Sequence, residues 1–436
     1  MSENLTPLDR ADRVDRDILD ALRNPGRSYW VALAASALVF LAGMACWGYQ
    51  IYSGMWASGK NHPVGWYMYI TTFVFWVGIA HSGTLISAVL FLFRAKFRVA
   101  FNRSAEAMTL IAIATAGLFP LIHLGRVWLF YWLMPYPNQR TLWVNFRSPL
   151  VWDVFAVSTY FTVSAIFFYV GMIPDLAVAR RIVTGWRRPL YRILSMGWTG
   201  SLRQWIHYNQ LYIFLAAFAT PLVISVHSVV SWDFAMSIVP GWHTTIFAPY
   251  FVAGAIFSGC AMVFTLVIPM RRIFRLEKYI TTDHFEALAK VLLFCSLIVS
   301  YAYLVEYALA MYGGNIFEKA HFIYRTSGDF RLMFWGMILF NSLLPLSLFA
   351  RPLRRSLPYL FVLSIFINIG MYFERFVIIV TALAHDFDPY VWGKPIFSPI
   401  ALGIVAGSFG MFFMAFLIFA KLLPVLSITE VKEEHK

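Results

Sequence analysis

Charge is scarce in this sequence: only 13% of its 436 residues are Asp, Glu, Lys or Arg, against 60% hydrophobic and 18% aromatic. A chain so poor in charge cannot cover the apolar surface it carries, which excludes a disordered, collagen-like, coiled-coil or soluble globular protein. Cysteine is nearly missing. Cys46, Cys260 and Cys295 each stand alone in an apolar run, so neither a disulfide framework nor a thiolate cluster is expected, and no CxxCH haem-attachment motif occurs. The first 27 residues contain no apolar leader, so the chain is expected to insert through its own helices. Strict alternation of polar and apolar residues is also lacking, which argues against a β-barrel.

Long apolar runs are what the sequence does have. Ten are long enough to cross a bilayer as helices at about 20 residues each. They cover roughly 29–50, 65–93, 107–134, 150–173, 208–232, 246–269, 290–312, 330–350, 357–383 and 399–423. The expected fold class is an all-α polytopic membrane protein. With the N-terminus inside, the cytoplasmic segments would hold 26 of the 35 Lys and Arg residues, an asymmetry that places both termini in the cytoplasm. The net charge of +13 then reads as a topology signal, with the lipid bilayer and not nucleic acid as its partner. Ahead of the first span, Leu8 to Leu22 puts Val14, Ile18, Ala21 and Leu22 on one face and stops at Asn24-Pro25-Gly26. This predicts a short amphipathic helix outside the bilayer, packed on the loops or docking a partner.

The spans also repeat with a period of four. Val77-Gly78-Ile79-Ala80-His81-Ser82-Gly83 reads against Ala253-Gly254-Ala255-Ile256-Phe257-Ser258-Gly259, and Ile246-Phe247-Ala248-Pro249 against Ile396-Phe397-Ser398-Pro399. Ser225-Val226-His227-Ser228 falls opposite Tyr372-Phe373-Glu374-Arg375. An even number of helices per copy preserves orientation, so two parallel four-helix bundles with flanking helices are predicted. The expected organisation is an amphipathic segment over 1–28, the first span and its loop over 29–64, a first bundle over 65–232, a second over 233–383, and the last span with its tail over 384–436.

Ionisable side chains inside such spans need a partner or a task. In Phe119-Pro120-Leu121-Ile122-His123-Leu124-Gly125-Arg126 the proline kinks the helix, and His123 and Arg126, three apart, are expected on one face. Asp153 stands near the start of the fourth span, where a 15-residue loop from Pro135 to Pro149 lets it approach His123. An imidazole and a carboxylate in an apolar pocket suit quinol oxidation, which needs a base at each hydroxyl. A histidine satisfied by a carbonyl, or one ligating haem, are the other readings of His123. His81 is either hydrogen-bonded to a neighbouring helix or a further candidate quinol contact. His227, Asp233, Glu306, Glu374 and Arg375 form either a proton path or buried structural pairs, and the neighbours Glu374 and Arg375 are expected to face different partners.

The blocks GIAHSGTLISAVLFLFR (78–94), LFPLIHLGRVW (118–128), the loop and helix start over 131–161, the segment 220–259 and MYFERFVI (371–378) together resemble the NrfD-like family of polysulfide-reductase membrane subunits. Within it they are most similar to the quinol-oxidising membrane subunits of bacterial alternative complex III. The resemblance implies ten helices in two bundles, residing in the bacterial inner membrane. It also implies menaquinol or ubiquinol bound near the periplasmic face, with no haem, iron–sulfur cluster or metal held by the chain itself. His123 and Asp153 would be the catalytic residues, with His81 and Arg126 also lining the quinol pocket. Electrons would pass to a periplasmic iron–sulfur subunit and on to c-type cytochrome subunits, in a complex completed by a homologous second membrane subunit and small membrane anchors. The second bundle would be a possible route for proton translocation. Outer loops 135–149, 233–245 and 313–329, rich in Trp, Tyr, Arg and Asn, would then form the partner surface. A b-type cytochrome and a secondary transporter are the competing readings.

Overall fold

The computed structural model describes residues 13–20 and 25–434. It is helical throughout, and no strand occurs among the described residues. Among the described residues ten helices are long and apolar enough to span a membrane: α1 (Arg27–Ser53), α2 (Tyr67–Leu92), α3 (Asn102–Leu124), α4 (Pro149–Ile182), α5 (Leu202–Ala235), α6 (Phe247–Ile273), α7 (Thr282–Tyr312), α8 (Arg331–Phe349), α9 (Leu357–Ala384) and α10 (Pro399–Leu422). Their starts carry recognisable caps. Ser201 accepts from the Gln204 amide at α5, Thr281 and His284 form a reciprocal box at α7, and Ser398 precedes the N-terminal Pro399 of α10.

Helices α2 to α5 pack on one another as one bundle and α6 to α9 as a second. The bundles meet chiefly along α2 and α6, whose repeated small residues interlock. Ser258 stands opposite Gly78, and a side chain added at Gly259 would run into Ser82. Outside both bundles α1 pairs with α10, where Gly43 and Gly407 let the two backbones touch. Within α2, α8 and α9 the ladder widens to π-helical turns at Leu85–Val89, Leu339–Leu343 and Val377–Thr381.

Two expectations need correction at the ends of spans. The third run was read as helical to 134, but α3 stops at Leu124: Pro120 supplies no N–H to the ladder, and Gly125 at φ 74° turns the chain out. Residues Val127–Leu133 form 3₁₀ turns instead. The fourth and fifth spans run longer than their apolar windows, because Arg180 and Arg181 continue the last turn of α4 and Leu202 already begins α5.

The side bearing the described terminal segments is closed by ionic packing. Residues 13–20 are helical and bury Val14, Ile18 and Leu19. Asp17 accepts from Tyr279 at 2.7 Å, and Lys432 reaches Asp15 at 2.7 Å. This segment is therefore a cap on the loops; Leu8, Ala21, Leu22 and Asn24 of the predicted helix lie outside the described residues. Beneath it Arg103 bonds Glu106 and Asp175, both at 2.8 Å, and the Gly171 carbonyl. The C-terminal helix Ile428–Glu434 closes over this cluster, with Arg98 to Glu430 at 2.8 Å and Thr429 donating to Asp175 at 3.3 Å.

Candidate functional site

On the far side of the first bundle, α3 ends, α4 begins and α5 ends. Ser148-Pro149 starts α4 so that Asp153 falls in its second turn, 9% exposed. Asp233 lies near the end of α5, and the edge-to-face pair Trp152 and Trp232, 6.0 Å apart, brackets the two acids. The Asp153 and Asp233 carboxyls lie close enough to act on each other electrostatically, and Oδ1 of each is buried without a hydrogen-bond partner. Two neighbouring buried carboxylates repel each other, a repulsion that an added proton relieves, and the open Oδ1 atoms supply acceptor capacity for it.

His123 occupies the last turn of α3, half-buried, with Nδ1 unpartnered. The segment after α1 surrounds that turn. Met55 fills the space beside Gly125, and Lys60 is close enough to act on His123 electrostatically. Burial holds the Lys60 ammonium below its ordinary pKa. Among the described residues no hydrogen bond or ion pair joins His123 to Asp153, whose neighbour is Asp233. Arg126 does not share a helical face with His123, contrary to the expected i,i+3 spacing. It lies past Gly125 in non-helical backbone and is exposed.

His81 projects from α2 deeper in the bundle, where its Nδ1 lies 3.2 Å from Nδ1 of His227 on α5 and the rings cross at 80°. Both are buried, and His227 Nε2 is unpartnered. His227 precedes Asp233 by six residues, about 9 Å along the helix. His227 therefore shares α5 with Asp233, roughly one and a half turns away along it.

In the second bundle Glu374 accepts from Tyr303, which in turn accepts from Asn341 at 3.0 Å. Glu374 and Arg375 were expected to face apart, yet Arg375 donates to Glu374 while its guanidinium lies 4.6 Å from the centroid of Phe251. Both side chains are long and fully buried, and the helix widens into its π turn at Val377, so the guanidinium folds back on its neighbour. Nearer the far side Glu306 is 3.5 Å from Arg325, which donates to His321 Nε2 at 2.9 Å. Burial, then the Arg325 cation, pushes His321 well below its usual pKa, so it accepts as a neutral ring. Glu306 also lines a cavity of about 460 Å³ with Trp232, His243, Glu318 and Phe322.

The structure thus joins Asp153 with Asp233, His81 with His227, and Glu374 with Arg375, and gives His123 and Glu306 settings of their own. Sequence reasoning missed Gln50, Tyr69 and Lys60 around His123. A neutral amide at the end of an apolar run and one loop lysine carry no pattern that would single them out.

Residues 56–385 match the family described as polysulphide reductase, NrfD. The chain belongs to the NrfD family. Among NrfD-type relatives, a putative dimethyl sulfoxide reductase membrane subunit from Halobacterium salinarum is 28% identical over 367 residues, 82% of this chain and 78% of that protein. An Hdr-like menaquinol oxidoreductase integral membrane subunit from Archaeoglobus fulgidus is 21% identical over 421 residues, 91% of this chain and 95% of the relative. Both relatives are named as membrane subunits of oxidoreductases.

Proposed function

We propose that this NrfD chain is the quinol-oxidising membrane subunit of a complex of the alternative complex III type. The observation that carries the reading is the Asp153–Asp233 carboxyl pair, set at the same end of the first bundle as the free nitrogen of His123. A quinol must lose two protons with its two electrons. His123 takes one hydroxyl proton on Nδ1, and the Asp153–Asp233 carboxyl pair takes the other. The electrons leave for an acceptor outside the chain, an iron–sulfur subunit that passes them on to c-type cytochromes. His81 and His227 already hydrogen-bond each other, which disfavours the b-type cytochrome reading for that pair.

The termini side is proposed as cytoplasmic, so the quinol pocket faces the periplasm of the inner membrane. The far-side loop supports a partner there. Trp128 and Trp143 are each 62% exposed, Arg126, Arg140 and Arg147 lie among them, and no acidic residue occurs from 125 to 152. The first bundle, α2 to α5, holds the quinol, and Glu306, Glu374 and Arg375 of the second are assigned to proton movement. The relative named for menaquinol supports a quinol substrate. His123→Ala and Asp153→Asn in the assembled complex should each lower quinol-dependent cytochrome c reduction by roughly 100-fold or more. Wild-type rates in both would reject this site.

A further inference from the structure

Helix α1 is the least embedded span: in its most apolar window only 6% of residues are buried, against 83% for α2. Gln50, at 1% exposure, is one of the three buried residues of α1, with Tyr29 and Gly43. Its Oε1 accepts from the Tyr69 hydroxyl of α2, and its Nε2 donates to the Ile122 carbonyl at 3.3 Å. A carbonyl can only accept, so the contact with Ile122 fixes which end of the amide faces α3, and Tyr69 must then donate to the other end.

Ile122 is the residue before His123, in the turn that α3 holds least well by itself. The last carbonyls of any helix lack intrahelical donors, and here Pro120 has already removed one N–H from the ladder. Only the tight-turn amide of Gly125, at 3.2 Å, serves the Ile122 carbonyl from within the chain's own end. Gln50 supplies a second donor from another helix. Met55, five residues on, lies 3.3 Å by its sulfur from the same amide and packs against Gly125. The end of α1 and the turn after it thus pack against the last turn of α3 and the Gly125 turn that follows it.

We propose that Gln50 is a positioning residue for His123, bracing the last turn of α3 through the Ile122 carbonyl, with Tyr69 holding the Gln50 amide in the donating orientation. This rests on the reading of His123 as a quinol base. The strut touches no substrate atom and acts through the imidazole it aims, so its loss should slow the proton-transfer step more than it weakens quinol binding. Gln50→Leu in the assembled complex should lower kcat about tenfold while KM for a short-chain quinol stays within about twofold. Tyr69→Phe should lower kcat by about three- to fivefold with the same constancy of KM, and it carries the test should Gln50→Leu fail to assemble. Wild-type kcat in both variants, with His123→Ala inactive, would overturn the positioning role alone. Wild-type kcat in His123→Ala as well would overturn the quinol reading and the role with it.

Discussion

At the termini side of the first bundle, Glu106 and Asp175 have both carboxylate oxygens engaged, by Arg103, Tyr212 and Thr429. At the far side the neighbouring Asp153 and Asp233 each keep a buried Oδ1 without a hydrogen-bond partner, and His123 has a free nitrogen. Both sets draw on the same three helices, α3, α4 and α5. Their difference lies in saturation. A buried charge met on all sides serves packing, since removing a partner strands the other. Acceptors left open in an apolar protein are costly unless something else donates to them. Even in the saturated cluster the leftovers, Arg103 Nε and Arg98 Nη1, are donors rather than acceptors, so that end offers nothing to a hydroxyl seeking a base.

The contrast predicts separate losses of activity and stability. The largest effect should come from Asp233→Asn, expected to lower quinol oxidation by roughly 100-fold or more while the complex still assembles; steady-state rates and thermal melting, measured together, would show it. Arg103→Met should do the reverse, destabilising the chain by about 3–5 kcal/mol as two buried carboxylates lose their partner, with turnover per folded complex unchanged. A stable but inactive Arg103→Met protein would erase the distinction. Gly259→Ala tests the seam between the bundles, where a new methyl must displace Ser82 and should cost about 1–3 kcal/mol.

The smallest effect concerns Glu430. Burial raises its carboxyl above the ordinary value, and the Arg98 and Arg103 cations offset this only in part. The folded state therefore binds this proton more tightly than the unfolded one. The resulting stabilisation is complete below the unfolded pKa and fades as pH rises through the folded one. Amide exchange in 428–434 should quicken with rising pH beyond its intrinsic base dependence, and Glu430→Gln should flatten that excess.

Much of this architecture was legible from the residues. Apolar runs report spans directly because lipid leaves helices few alternatives, and the starts of α4, α9 and α10 fell within a residue of expectation. The interlocking of Gly78 and Gly259 with their serines was foreshadowed by the repeated block around His81 and Phe257. His123 and Asp153 stood out because ionisable groups in apolar runs are rare. Partnership was less legible. Which way Asp153 points depends on the rotation of α4 against α5, and no local pattern records it. The folding back of Arg375 onto Glu374 depends on side-chain length and on a π turn with no sequence signature. Gln50 escaped notice because it is uncharged, and its partner carbonyl belongs to the backbone.

The pairing of α1 with α10 has a bearing on how the protein is made. Gly43 meets Gly407 across more than 360 residues of chain, so the opening helix waits in lipid through nearly all of synthesis without its mate. Its mean hydropathy of 2.0 lets it wait, but a bare glycine groove is an open invitation to any other small-residue helix nearby. Ribosomes that stall before codon 399 would release chains with that groove unclaimed, and such fragments should be found clinging to the wrong neighbours.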